Sequence, residues 1–190
     1  PLRSAPSARR FGMSAIRGRL GSMGPLVVSL CVACGGAGAK PAESAPGASS
    51  VPARDVATYA FESLDARPVT STAFAGKPVV LAFVTTWDLP SQAQVRYLIE
   101  MDKRDQGKVA YAAVCLQESK DRELIEVYRS TLGVSFPMAI ADRGTLAGAG
   151  AFGDVQSVPT VVVVDATGHV VLQKVGLVPS DEIRAALRGL

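Results

Sequence analysis

Val79-Val80-Leu81-Ala82-Phe83-Val84-Thr85-Thr86-Trp87-Asp88-Leu89-Pro90-Ser91 decides the fold. Val79 to Val84 is a continuous apolar run of strand length, the pattern of a strand covered on both faces. A helix is expected from about Pro90 to Lys103, with Val95, Leu98, Ile99 and Asp102 at helical spacing. Between strand and helix stands Asp88, a favoured capping residue. Its carboxylate can accept the amide three positions on, that of Ser91. Pro90 is tolerated in a first helical turn.

Downstream, Val109 to Leu116 is a second apolar strand and carries Cys115 near its end. Leu124, Val127, Tyr128 and Leu132 mark an amphipathic helix, with Ser119, Asp121 and Glu123 as its N-terminal signals. Thr145 to Phe152 reads as a weak helix loosened by Gly148 and Gly150. Thr160 to Val164 is a third buried strand, and Asp165-Ala166-Thr167-Gly168 turns it into a hairpin with His169 to Val175. Ser180-Asp181-Glu182 opens a C-terminal helix, with acids where the helix dipole favours them. Upstream, Thr58 to Leu64 alternates into a turn at Asp65-Ala66-Arg67-Pro68, and Val69 and Thr70 return as a short strand. Residues 55–190 thus read as one α/β domain, and about 135 residues are ample for one covered sheet.

This domain resembles extracytoplasmic thioredoxin-like proteins of the TlpA/ResA type, within the redoxin and AhpC/TSA group. Gly76-Lys77-Pro78 before Val79 to Phe83 looks like the family's entry into its central strand. Thr86-Trp87 stands where the family has Thr-Trp before its redox motif. Phe136-Pro137-Met138 resembles a Phe-Pro that opens a strand. Val158-Pro159-Thr160, followed by an apolar strand and Asp165-x-x-Gly168, looks like the cis-proline segment and its hairpin. The resemblance implies a three-layer α/β/α fold: a central mixed sheet flanked by helices and preceded by an N-terminal β-hairpin. It also implies that Pro159 is cis and faces the motif, and that Val158 offers an unpaired backbone edge.

The departure from the family is at the motif itself. Where the family has Cys-x-x-Cys, this chain has Asp88-Leu89-Pro90-Ser91. Disulfide exchange needs one sulfur to attack and a second to resolve, and a carboxylate and a hydroxyl do neither. No catalytic residue is therefore assigned, and no His or second acid adjoins Asp88 in sequence to make an acid–base pair. Trp87, Asp88, Leu89, Pro90, Val158 and Pro159 are instead the candidate binding residues for an extended peptide or envelope protein. That mode is β-augmentation, which needs no cysteine. The expected role is non-redox binding or scaffolding. The alternative is a thiol-disulfide oxidoreductase or peroxiredoxin-like enzyme using Cys115 or partner thiols. A third reading is a structural lipoprotein without a ligand. Cys115, alone in a strand, is expected to pack as a small apolar residue. His169, just after a hairpin turn, is expected in solvent and has no companion ligand, so neither a metal nor another cofactor is expected.

Composition narrows the remainder. The chain has 190 residues, 48% apolar and 19% charged, which excludes a disordered protein. Three Cys and one His exclude a disulfide-dense scaffold and a multi-histidine metal site. Of the 20 basic residues, 6 lie at or before Lys40 with no acid among them, leaving 14 against 17 acids. The folding part is mildly acidic and has no basic stripe, so nucleic acid is not an expected partner.

The basic start and the short apolar run Leu26 to Ala33 have the layout of a secretory signal. A membrane-spanning helix needs about 20 apolar residues, so this run is too short to span. Leu30-Cys31-Val32-Ala33-Cys34-Gly35 resembles a bacterial lipobox, with Cys31 where Leu is usual. The resemblance implies cleavage before Cys34 and diacylation of its sulfur. The expected partner is then a bacterial membrane, with the domain facing the periplasm. The alternative is an ordinary signal cut near Ala39. Residues 1–34 are thus read as signal and lipobox, and the Gly-, Ala-, Ser- and Pro-rich residues 35–54 as a flexible tether. Cys31 and Cys34 also spell Cys-x-x-Cys, but the glycines after them would break the helix such a motif opens.

Overall fold

The computed structural model describes residues 56–190. The stretches read from sequence as signal, lipobox and tether, with Cys31 and Cys34, lie outside the described residues. The chain begins with a hairpin of β1 (Ala60–Ser63) and β2 (Val69–Thr70). It continues through β3 (Val79–Val84), α1 (Leu89–Asp105), β4 (Ala110–Cys115), α2 (Arg122–Leu132) and β5 (Met138–Ile140). The last part is α3 (Arg143–Leu146), β6 (Thr160–Val164), β7 (Val170–Val175) and α4 (Ser180–Arg188).

The strands form one mixed seven-stranded sheet in the order β2-β1-β5-β4-β3-β6-β7. β3, β4 and β5 run parallel. β6 is antiparallel to β3, β7 to β6, and β1 to β5. The apolar run Val79–Val84 is central and wholly buried, as its composition requires. The two crossovers from β3 to β4 and from β4 to β5 step along the sheet in the same direction. Right-handed connections therefore set α1 and α2 on one face. There Val80, Ala82 and Val84 pack with Val95 and Leu98 of α1, Ile125 of α2 and Ile183 of α4. The other face carries Leu81 and Phe83 under an aromatic cluster. Phe152 stacks against Tyr59 at 5.2 Å and Phe83 at 5.6 Å between ring centroids. The architecture is α/β/α in layers, with α3 and its flanking loop as the thin outer layer.

Three local expectations change. The weak helix expected over Thr145 to Phe152 is the single turn α3, which starts earlier because Asp142 caps it through the Thr145 amide at 2.6 Å. Gly148 and Gly150 fall after the helix, and Gly148 takes a positive φ where the chain turns. On α2 the buried side chains are Ile125 and Tyr128, while Leu124 and Val127 are exposed. Of the expected face, Tyr128 and Leu132 do pack on the core, and Ile125 takes the place of Leu124 and Val127. His169, expected in solvent, is half-buried, with Nδ1 2.8 Å from Thr167 Oγ1.

The turn between β1 and β2 is tied to α2 by charge. Asp65 accepts from Arg67 and lies 2.7 Å from Arg129 Nη2. The Arg67 side-chain hydrogen bond, foremost, holds the Asp65 carboxyl below the usual carboxylate range. A depressed folded pKa gives stability that is present above the unfolded value near ~4 and lost as pH falls through the folded one. Asp65→Asn is therefore expected to be less stable than the native chain at neutral pH. Urea denaturation between neutrality and pH ~3 should show that gap closing as pH falls below ~4.

Candidate functional site

The site is built on the joint between β3 and α1, at the carboxyl ends of the parallel strands, where open α/β sheets form their crevices. Asp88 has extended backbone, φ −93 and ψ 123, and caps α1. Its Oδ2 accepts the Ser91 amide at 2.8 Å. Its other oxygen has no hydrogen-bond or ion-pair partner among the described residues. Pro90 lies in the first helical turn, where its missing N–H costs nothing. Ser91 is fully buried, and its Oγ accepts the Thr85 amide at 3.3 Å, tying the helix back to the end of β3.

Two glutamines that sequence reasoning did not single out hold the same turn. The Thr86 amide donates to Gln117 Oε1 at 3.0 Å, and the Thr86 carbonyl accepts from Gln92 Nε2 at 3.3 Å. Gln117 is buried just past β4, and its Nε2 has no partner; neither has the buried Oγ1 of Thr85. The one sequence signal for Gln117 was a polar residue directly after an apolar strand. With the turn held from both sides, Trp87 and Leu89 stand outward, 66% and 75% exposed.

β6 brings the second half of the site. Phe83 is the register partner of Thr160, the last pair of the two strands, so Val158-Pro159 enters β6 at the end of the sheet where β3 gives way to the turn. The Val158-Pro159 bond is cis. Pro159 is buried and its carbonyl accepts the Gly176 amide at 2.7 Å. The backbone N–H and C=O of Val158 have no partner among the described residues. The structure thus gathers Trp87, Asp88, Leu89, Pro90, Val158 and Pro159 at one end of the sheet.

It does not bring Cys115 to that surface. Cys115 is the register partner of Val84, one strand over, but its side chain is 0% exposed within the core under α1 and α2. Burial pushes its thiol up to about 12, so almost no thiolate forms at neutral pH. Near it the Tyr128 hydroxyl is also buried, and its pKa is raised chiefly by that burial. Among the described residues no group of three His, Cys, Asp or Glu is placed to hold a metal ion. Nor is any helix there long and apolar enough to cross a membrane.

No protein-family model matches the sequence, and no curated protein matches it significantly. Solved structures do match in shape. A DsbF homologue from Corynebacterium diphtheriae aligns with TM-score 0.64 at 18% identity, over 77% of this chain and 96% of its own. A thiol:disulfide interchange protein of the thioredoxin family from Chlorobium tepidum aligns with TM-score 0.62 at 20% identity, over 73% and 97%. The fold is thioredoxin-like. A third match is the exposed lipoprotein thioredoxin of Streptococcus pneumoniae, TM-score 0.60 at 21% identity, over 70% and 100%. At these identities the likeness establishes the thioredoxin-like fold and leaves the chemistry to the residues present.

The cap can be isolated by substitution. Asp88→Ala is expected to destabilise the thioredoxin-like domain by ~1 kcal/mol, whereas Asp88→Asn, an equally good cap, should be near neutral. Chemical denaturation of the two variants beside the native chain measures both.

Proposed function

We propose that this chain is an envelope-anchored thioredoxin-like protein without a redox dithiol, acting as a binding or scaffolding module. The observation that carries the reading is the capped turn at Asp88-Leu89-Pro90-Ser91. Strand, turn and helix are retained, while a carboxylate and a buried hydroxyl occupy the two positions where the family resemblance implies sulfur. The domain's one thiol, Cys115, is buried and protonated, which argues against the oxidoreductase and peroxiredoxin-like alternatives. What remains at this end of the sheet is a recognition surface. Trp87 and Leu89 offer apolar area, and Val158 offers an unused backbone donor and acceptor. An extended segment can add to such an edge through main-chain hydrogen bonds.

The anchor belongs to the same proposal. Cys34 after Ala33 supports cleavage and diacylation there, which would hold the domain at a bacterial membrane facing the periplasm. The tether of residues 35–54 would let it reach partners in the envelope.

The test uses the chain recovered from bacterial membranes. Intact mass should give diacylated Cys34 as the first residue, leaving Cys115 as its one free thiol. Insulin reduction by that preparation should not exceed a heat-denatured control. An unmodified terminus at a later residue overturns the anchor. Turnover above that control which Cys115→Ser abolishes overturns the non-redox reading, because it would then run through the domain's one thiol.

A further inference from the structure

We infer that the segment this surface takes is a basic one, with an arginine or lysine seated on Trp87 and its charge met by Asp88. The inference rests on the extended-segment reading above and adds the chemistry of its ligand. Asp88 uses one carboxylate oxygen on the Ser91 amide, and the other has no partner. In the chain Asp88 stands between the two residues with the most exposed large apolar side chains of the described residues, Trp87 at 66% and Leu89 at 75%. A carboxylate flanked by an open indole and an open leucine suits a long side chain with an apolar stem and a cationic head. The stem covers apolar surface, the indole face attracts the cation, and the carboxylate pairs with it.

The surrounding charges agree. No ion pair reaches Asp88; Lys120, on the loop after β4, is engaged by Glu118 at 2.9 Å. Arg96, two turns along α1, makes no ion pair with Asp88. An acidic ligand would meet the Asp88 carboxylate directly. The free edge at Val158 sets the extended conformation, and Asp88 with Trp87 sets the charge.

The experiment titrates the full chain with Ac-Ala-Val-Arg-Val-Ala-amide and with the same peptide carrying Gln or Glu in place of Arg. Trp87 is the only tryptophan in the sequence, so its fluorescence reports binding at this place directly. At low salt the Arg peptide should bind about five- to tenfold more tightly than the Gln peptide, the range for one exposed ion pair plus one cation–π contact. The gap should shrink at about 0.5 M salt, where exposed pairs are screened. Asp88→Asn keeps the helix cap and should reduce most of the gap. If Arg and Gln peptides bind equally, or the Glu peptide binds best, the basic-segment inference is overturned while the extended-segment reading stands. If none of the three binds, the extended-segment reading fails and takes this inference with it.

Discussion

The hydrogen bond from the Ser91 amide to the Asp88 carboxylate sits where the central strand hands over to the longest helix. Several independent features depend on that joint. The strand must end at Val84 for Thr85 to reach Ser91, and the helix must start at Leu89 for Trp87 to be left outside. The glutamines at 92 and 117 clamp the Thr86 peptide unit from either side. β6 is registered on the same strand, so its position fixes Val158 beside the turn.

The two substitutions at the motif are conservative in physics though not in chemistry. A helix N-terminus favours negative charge, which a carboxylate supplies as a thiolate would. Ser91 is small and fully buried, and its hydroxyl replaces a sulfur with an atom that can accept the Thr85 amide. Charge and packing are thereby kept while nucleophilic sulfur is removed. On the proposed reading, this is how a thioredoxin-like frame would persist without dithiol chemistry. Cys115 would not restore it, because the burial that makes it fit the core also raises its pKa and disfavours the thiolate.

Much of this was legible in the sequence because buried central strands must be almost wholly apolar. Val79–Val84, Ala110–Cys115 and Thr160–Val164 stand out for that reason. The capping geometry of Asp88 on Ser91 was also readable, since it is a local rule at fixed spacing. β5 has only three residues, too few to show a period, and its place beside β4 comes from long-range pairing. The α2 face was misjudged because Ile125 carries the burial that Leu124 and Val127 suggested. Gln117 was invisible because its partner, the Thr86 amide, lies 31 positions away in the chain. The proposed charge preference rests on one Asp88 oxygen being left over by the cap, and that is a fact of three dimensions.

The central claim is that the turn is an intact redox frame without its sulfurs, and restoring them tests it most directly. In a chain lacking Cys31 and Cys34, Asp88→Cys with Ser91→Cys places two thiols at a helix start, within reach of each other. Free-thiol titration against a glutathione series, with alkylation rate followed against pH, measures the outcome. The expected result is a reversible 88–91 disulfide and a first thiol whose pKa lies well below the free value near ~8.5. A folded variant that stays reduced under oxidising glutathione, or whose thiol titrates near ~8.5, would contradict it.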